Sequence, residues 1–311
     1  MFSLKQSRTR FLLAAIALIA LQLLAVAALP KENGRVLASN LLQVASSLTA
    51  MWACWLAFRR SSPFARRFWP FLGCSFGAWS VAQTLWLVNE ALEGVVVGPT
   101  NATLILFFFS FTPFVLILFL NQEESRTQDW ERTLDFLQIG IVIFCAYLYV
   151  FYLPTRWESQ QETSNRMLDH VFVVRNLVLV VLLWLRAALG RSNRERSLFS
   201  LAAGFVTTYA VLTRVPTYAR LHWSIGTGSW MDIFWSLPFL IFAVLIAFWE
   251  EPKESPERRP RGLRALLAMH FAPTLIPLMV LALAAQIARE QLVVALLPSS
   301  CRSRFIVCAW S

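Results

Sequence analysis

Long apolar runs separated by short polar loops dominate the pattern along this 311-residue chain. A helix needs about 20 apolar residues to cross the hydrocarbon core of a bilayer. The pattern predicts nine such helices, at 11–29, 36–58, 68–88, 102–120, 134–154, 168–188, 198–215, 229–249 and 265–285. A tenth run begins at Gln291 and is cut short by Pro298. We therefore expect an all-α, polytopic transmembrane helical bundle with about nine complete spans and a truncated tenth.

The composition agrees with membrane spans. Apolar residues make up 57% of the chain and charged residues 15%. Soluble domains contain about 45–50% apolar residues and about 25% charged residues. These values exclude a soluble globular domain, a disordered chain and a nucleic-acid-binding module, although the net charge is +10. The basic excess instead fits loops that face the cytoplasm.

Basic residues alternate between the predicted loops and indicate the orientation. Alternate segments, beginning with the N-terminus, hold 18 Lys and Arg residues, and the segments between them hold 7. Loops rich in Lys and Arg stay in the cytoplasm, so the N-terminus is predicted to be cytoplasmic. The first run exceeds the length of a signal-peptide core. We interpret it as an uncleaved signal anchor, with cleavage near Ala25–Ala27 as the alternative.

These features divide the chain into segments. A cytoplasmic N-terminus at 1–10 precedes an eight-span bundle at 11–249. The segment 250–264, EEPKESPERRPRGLR, is charged and rich in proline, and it predicts a flexible cytoplasmic linker. The ninth span and the start of the tenth follow at 265–297, and an atypical tail covers 298–311.

Two stretches of the bundle resemble each other. A tryptophan, a basic loop, an apolar helix and an FTPF or SLPF sequence occur at 55–114 and again at 184–239. Both copies begin on the same predicted side of the membrane, so they would form a parallel internal repeat, as in some transporters. Leu-rich helices also resemble one another by chance, and that alternative stays open.

Polar residues inside the predicted spans require an explanation. Arg175 lies within the sixth span, where an arginine at the helix centre costs about 2.5–3.5 kcal/mol on insertion scales. Four residues of the third span are spaced 4, 3 and 4 positions apart, and this spacing places them on one face of the helix: Trp79, Gln83, Trp86 and Glu90. With other residues at similar depth they define a candidate ligand site open to the outside: Trp79, Gln83, Trp86, Glu90, His170, Arg175, Arg214, Trp230 and Asp232. The alternative is a set of interhelical salt bridges and hydrogen bonds that only holds the bundle together.

The sequence contains no pattern that indicates catalysis or a cofactor. It lacks a Walker A loop, HExxH, GxSxG and a GxGxxG before a helix. The five cysteines have no metal-ligand spacing and fit small apolar fillers. A lipid-modifying enzyme would need an acid–base pair near the interface, for which Glu90 and His170 are the candidates. We therefore expect a protein without catalytic activity of its own, without a bound metal and without a cofactor.

Three segments carry a resemblance to a known family. They are FWPFLGCSFGAWSVAQTLWLVNEALEG and GPTNATLILFFFSFTPFVLILFL, within 68–120, and GTGSWMDIFWSLPF at 226–239. Over about residues 35–290 the chain resembles the multi-span N-terminal sensory regions of bacterial signalling proteins, which precede a GGDEF (diguanylate cyclase) or histidine-kinase output domain. In that family a polar residue, often Asp, follows the first Gly-Pro turn. This chain has Ala102-Thr103 there, and an acidic residue only in the second copy, at Asp232.

The end of the chain departs from the family. The sequence PSSCRSRFIVCAWS stands where a signalling helix and an output domain would follow. We expect a truncated or frame-shifted reading frame, and a stand-alone membrane receptor that acts on a partner protein is the alternative.

The resemblance implies a sensory module in the bacterial inner membrane. It would receive a small ligand or a membrane signal from the outer side and pass it to a cytoplasmic output domain or signalling partner. The expected partners are the lipid bilayer, that cytoplasmic partner and a second copy of the chain in a homodimer, but no nucleic acid. A small-solute transporter or channel subunit is the alternative, favoured by the repeat and by Pro273 and Pro277 in the ninth span.

Overall fold

The computed structural model describes residues 4–30, 33–93, 101–120, 161–190, 192–223 and 225–253. Within these ranges the regular structure is helical, which confirms the all-α fold class for this part of the chain. The helices are α1 (Leu4–Ala28), α2 (Asn33–Arg60), α3 (Pro63–Glu93), α4 (Asn101–Phe109), α5 (Thr112–Ile117), α6 (Gln161–Leu189), α7 (Asn193–Leu212), α8 (Arg214–Trp223) and α9 (Ile233–Phe248). A short 3-10 helix, Trp230–Asp232, leads into α9.

Six helical segments of the described residues are long and apolar enough to cross a membrane. They are Arg8–Ala28, Gly34–Arg60, Pro63–Ala91, Phe172–Leu189, Asn193–Ala219 and Trp230–Phe248. They coincide with the first, second, third, sixth, seventh and eighth predicted spans, and they fit a multi-pass membrane protein. The predicted spans at 134–154 and 265–285 and the truncated tenth lie outside the described residues. The count of nine spans therefore stays a prediction.

The fourth predicted span, 102–120, is not one continuous helix but the two short helices α4 and α5. Pro113, in the first turn of α5, has no N–H to donate to the preceding turn. The N–H of Phe114 bonds three residues back rather than four, at 3.0 Å. The carbonyl of Ser110 accepts instead from the Ser75 hydroxyl of α3, at 2.5 Å. The proline break thus ties this segment to α3.

Side chains are distributed as expected for helices surrounded by lipid. Large apolar side chains cover the outside, including Leu13, Leu177 and Val211, which are 59%, 61% and 61% exposed. Ser39 and Asn40, in contrast, are buried at 0% and 1% exposed. Lipid is as apolar as leucine, so helices in a membrane associate through close packing and buried polar contacts. This distribution supports a membrane location.

Contacts between helices occur at two ends of the bundle, which we name inner and outer after the predicted orientation. At the inner end, Arg8 of α1 bonds Glu250, and Arg60 of α2 bonds the last turn of α9. At the outer end, Ser39 of α2 bonds Asp232, at the start of α9. Helices α2 and α9 therefore run in the same direction and α1 in the opposite one, as the alternation of basic loops predicts. Which end faces the cytoplasm stays a prediction.

The chain divides into two compact units, and the packing described here lies in the first, Met1–Gln122 with Asn176–Arg261. Aromatic rings from four helices fill its centre. Phe205 of α7 lies 4.9 Å from Phe76 of α3 and 5.0 Å from Phe242 of α9, measured between ring centroids. We call this the aromatic core: Phe76, Phe111, Phe114, Phe205, Phe239 and Phe242. It fixes α9 against α3 and α7, and so positions the residues at both ends of α9.

Candidate functional site

Asn40 of α2 connects polar side chains of the third predicted span. Its Oδ1 accepts a hydrogen bond from Gln83 Nε2 at 2.9 Å, and its Nδ2 donates to Glu90 Oε2. Trp86 Nε1 donates to the other oxygen of the Glu90 carboxylate at 2.9 Å. Asn40, Gln83 and Glu90 are 1%, 2% and 4% exposed. The spacing along α3 thus brings three of the predicted site residues into one buried cluster.

Asp232 is the second buried carboxylate at the outer end, at 4% exposed. Its Oδ2 accepts from Ser39 Oγ at 2.7 Å and from the Gly228 N–H at 2.6 Å. Gly228 has a φ of 84°, a left-handed conformation that favours glycine. A Cβ at this position would also lie 3.0 Å from Val36 of α2. Glycine therefore lets the loop approach α2 and direct its N–H to the carboxylate.

Helix α2 holds both carboxylates, because Ser39 and Asn40 are neighbours in sequence. The amide nitrogens of Gln22 and Gln43 lie 3.5 and 3.4 Å from Ser39 Oγ. We call these side chains the outer polar cluster: Gln22, Ser39, Asn40, Gln43, Gln83, Trp86, Glu90 and Asp232. The ion pairs of the described residues include neither Glu90 nor Asp232. Among the described residues, the hydrogen-bond donors to these two buried carboxylates are therefore neutral.

Sequence reasoning missed the members of the outer polar cluster in α1 and α2. It relied on charged residues and tryptophans and passed over amides and hydroxyls within apolar runs. A signal was nevertheless present. Gln22 interrupts the first apolar run, and Asn40, Gln43 and Ser47 follow helical spacing on one face. A polar group inside the membrane must find a partner within the protein.

Three other predicted site residues lie outside the outer polar cluster. The ring of Trp79 packs against the aromatic core, 4.5 Å from Phe239 between centroids, and its Nε1 donates to Tyr209 Oη at 3.3 Å. Trp230 is 53% exposed, and Arg214 is exposed at the start of α8.

Arg175 and His170 both lie on α6. The Arg175 guanidinium stacks over the ring of Phe172, one turn earlier, at 4.8 Å from the centroid. Arg175 belongs to the second compact unit, and the side chain of His170 lies outside the described residues. The expected association of these two side chains with the carboxylates stays a prediction.

Contacts from other helices hold the inner end of α9. Arg60 of α2 donates to the carbonyls of Ala247 at 3.2 Å and Trp249 at 2.9 Å. A guanidinium at the end of a helix satisfies carbonyls that lack partners within the helix. Glu251 accepts from the Ser62 N–H at 2.9 Å and pairs with Arg194 of α7. We call this set the inner clamp: Arg8, Arg60, Ser62, Arg194, Glu250 and Glu251.

The pair between Arg8 of α1 and Glu250 completes the inner clamp. The hydrogen bond and the positive charge of Arg8 hold the pKa of the Glu250 carboxyl below its usual value. The stabilisation from this pair is therefore complete above the ordinary pKa of about 4.3. It is lost as the pH falls through the lowered value. Glu250 is 75% exposed, so the pair is screened by solvent and opens at little cost.

Replacing Arg60 with lysine is expected to lower the free energy of unfolding by about 1–2 kcal/mol. Lysine keeps the charge but lacks the planar fork that reaches several carbonyls. SDS-induced unfolding in mixed micelles, followed by circular dichroism, measures the effect. Arg59→Lys changes an exposed neighbour and is the matched control, expected to leave stability unchanged. Equal losses in the two variants would contradict the capping role of Arg60.

A groove of about 310 Å³ lies between α7 and α9. Ser200, Gly204 and Thr208 form one wall, and Pro238 and Leu245 belong to the other. Four-residue spacing places the three small residues on one face of α7. The groove shares no lining residue with the outer polar cluster, so the two features are independent.

Comparisons with known proteins return no match to a family model, a curated protein or a solved structure. The function is therefore inferred from the residues and their geometry.

Proposed function

We propose that this chain is a non-catalytic membrane sensory module. It receives a small ligand or a membrane signal at its outer end and passes it to a cytoplasmic output domain or partner. The position of α9 carries the proposal. The helix begins beside Asp232 of the outer polar cluster and ends in the inner clamp. Its 16 residues span roughly 24 Å, at about 1.5 Å per residue. A change in the contacts of Asp232 can therefore move the residues that enter the linker at 250–264.

The outer polar cluster has properties suited to receiving a signal. A buried carboxylate without a counterion is costly, because burial removes the water that stabilises its charge. A ligand or a proton that changes the charge of Asp232 or Glu90 therefore binds one packing of the surrounding helices much more strongly than another. Such a differential affinity is what a ligand needs to shift a conformational equilibrium. The adjacent positions of Ser39 and Asn40 connect both carboxylates to α2.

The inner clamp has properties suited to reporting a signal. The Arg8–Glu250 pair is exposed at Glu250 and contributes little to stability, so this part of the clamp can rearrange at low cost. Arg8 makes two contacts at the end of α9, by stacking over the ring of Phe248 at 5.5 Å from its centroid and by pairing with Glu250 just beyond the helix. A small shift of α9 would therefore alter the charges presented at the start of the linker.

The resemblance of 68–120 and 226–239 to bacterial sensory regions supports the same proposal. Asp232, the acidic residue of that resemblance, is also the residue that joins α9 to α2. By this proposal the chain lies in the bacterial inner membrane with a cytoplasmic N-terminus. An output domain or a partner protein reads the linker, and a second copy of the chain joins it in a homodimer.

A small-solute transporter or channel subunit is the alternative, and it requires polar residues along a whole path. In α2, buried polar side chains extend inward from Ser39 as far as Ser47, whose hydroxyl oxygen is 2.6 Å from that of Ser80. The next buried positions of α2 are Ala50 and Ala53. The polar face of α2 thus favours a site open to one side over a continuous path.

Spin labels at the inner end test the sensory proposal. The native cysteines at 54, 74, 145, 301 and 308 are replaced by serine or alanine, and labelled cysteines are introduced at Arg59 and Lys253. Both positions are exposed, one on α2 and one just after α9. Double electron–electron resonance in lipid nanodiscs then gives the distribution of distances between the labels. Asp232→Asn and Glu90→Gln each remove one buried charge and are expected to shift this distribution.

Ser47→Ala is the matched control, since it removes a buried hydroxyl of α2 outside the outer polar cluster. It is expected to leave the distance distribution unchanged. An unchanged distribution in both carboxylate variants, each shown to be folded, would overturn the sensory proposal. Solute flux into proteoliposomes that is lost in Arg175→Ala would support the transporter alternative.

A further inference from the structure

Three side-chain oxygens at the outer end of the described bundle have no hydrogen-bond partner although they are enclosed by protein. They are Oε1 of Gln22 on α1, Oγ of Ser229 just before the 3-10 helix, and Oγ of Ser236 on α9. The first and the last belong to almost completely buried residues. Gln22 is 2% exposed and Ser236 is 0% exposed. Polar atoms buried in apolar surroundings almost always have partners, because an unpaired one loses its interaction with water. These two oxygens therefore require an explanation.

Gln22 contacts a hydrogen-bond partner of Asp232, and Ser236 lies one helical turn after Asp232 on α9. The Gln22 amide nitrogen lies 3.5 Å from Ser39 Oγ, and Ser39 in turn donates to Asp232 at 2.7 Å. The Gln22 amide group is thus directed into the outer polar cluster. Ser236 follows Asp232 by four residues, or about one helical turn, so the two side chains share a face of α9.

Asp232 has no cationic partner among the described residues. The donors to its Oδ2 are the Ser39 hydroxyl and the Gly228 N–H, both of them neutral. Arg35 precedes Ser39 by one turn of α2, but its guanidinium donates to the carbonyl of Leu29 at 2.8 and 3.1 Å. A negative charge and two unpaired oxygens of buried side chains therefore lie in the same part of the bundle.

We propose that Asp232, Ser39, Gln22 and Ser236 form a binding site for a monovalent metal cation, with sodium as the ion. Carboxylate, hydroxyl and amide oxygens are hard ligands of the kind that alkali and alkaline-earth cations prefer. Ser39 gives its proton to Asp232, and its oxygen accepts from the amide groups of Gln22 and Gln43 only at long distances of 3.5 and 3.4 Å, contacts that a cation can displace. A cation balances the charge of Asp232 and provides a partner for both unpaired oxygens. Protonation of Asp232 would also remove the charge, but the single O–H that it creates could pair with only one of those oxygens.

The number of available carboxylates favours a monovalent ion. Glu90 is the other carboxylate of the outer polar cluster, and both its oxygens are engaged, one by Asn40 and one by Trp86. Asp232 is then the single anionic ligand of the site, and one negative charge matches one positive charge. A divalent ion would leave an excess positive charge in a surrounding of low polarity, which is costly.

This inference rests on the proposed function for its biological meaning, since the cation would be the ligand that the module senses. Binding of the ion, however, can be measured without any signalling. The two proposals can therefore fail separately.

Binding of radioactive sodium to the purified full chain in lipid nanodiscs tests the site. The buffer contains choline chloride at constant ionic strength, and scintillation proximity reports bound sodium. Saturable binding is expected, displaced by unlabelled sodium chloride but not by further choline. Asp232→Asn and Gln22→Leu are expected to weaken binding roughly tenfold or more, the effect of losing about 1.4 kcal/mol of binding free energy. Gln22→Glu keeps an oxygen ligand and is expected to retain binding, and Ser47→Ala is the control that should match the wild type.

Gel filtration and circular dichroism establish that each variant is folded. Absence of saturable sodium binding by the folded wild-type chain would overturn the inference, as would equal binding by folded Asp232→Asn. If calcium displaced the radioactive sodium at lower concentrations than unlabelled sodium does, the monovalent assignment would be overturned. Sodium binding that leaves the distance between labels at Arg59 and Lys253 unchanged would support the site and contradict the sensory proposal.

Discussion

Asn40→Leu is expected to lower the free energy of unfolding by about 3 kcal/mol, the scale of breaking a buried charged interaction. Leucine occupies a similar volume, but it can neither donate to Glu90 nor accept from Gln83. Both groups then remain inside the bundle without these partners. The cost arises from the unpaired carboxylate more than from the lost hydrogen bonds themselves. SDS-induced unfolding in mixed micelles, followed by circular dichroism, provides the measurement.

A double variant separates the charge from the packing. Asn40→Leu combined with Glu90→Gln removes the uncompensated charge, and it is expected to recover about half of the loss, since replacing a whole buried pair is often close to neutral. Ser47→Ala, on the same helix, removes one ordinary interhelical hydrogen bond and is expected to cost about 0.6 kcal/mol. A loss in Asn40→Leu no larger than that of Ser47→Ala would refute the bridging role of Asn40.

Phe205→Ala is expected to lower the free energy of unfolding by about 3 kcal/mol, at the low end of the range for aromatic residues in soluble cores. Phe205 is 1% exposed and contacts rings on three other helices, including Phe76, Phe114 and Phe239. Truncation leaves a cavity that these rings cannot fill without moving. The loss stays near the low end because an unfolded span remains in lipid rather than in water.

Val211→Ala is the matched control for Phe205, because Val211 lies on the same helix and is 61% exposed. It removes apolar atoms from the surface and creates no cavity, so its unfolding curve is expected to overlay that of the wild type. Similar losses in the two variants would show that the aromatic core does not hold α7 in place. Ring contacts at 4.9–5.5 Å would then contribute no more than a surface side chain.

Part of the outer polar cluster was predictable and part was not. Gln83, Trp86 and Glu90 were found because helical spacing places them on one face of α3, which is a local property. Asp232 was found because a carboxylate at the end of an apolar run is conspicuous. Ser39 and Asn40 were missed, since their importance comes from the position of α2 beside both α3 and α9. Periodicity indicates which residues share a face, but it does not identify the helix that the face meets.

The two proline sequences of the predicted repeat show the same limit. FTPF at 111–114 breaks the fourth span, whereas SLPF at 236–239 lies inside the continuous helix α9. In the first case Ser75 of α3 supplies a hydroxyl to the carbonyl of Ser110. That contact depends on the neighbouring helix and not on the proline itself. The two similar proline sequences therefore differ in backbone structure, one at a helix break and one within a helix, and the parallel repeat stays a prediction.

Length and hydropathy were enough to identify six segments of the described residues as helices able to cross a membrane. Length and hydropathy are properties of each segment alone, so no knowledge of neighbours was needed. Which buried polar groups meet depends on how the helices pack: Asn40 with Glu90, Ser39 with Asp232, and Arg60 with the end of α9. Inside a membrane each polar group needs a partner within the protein, and that partner usually lies on another helix, far away in sequence.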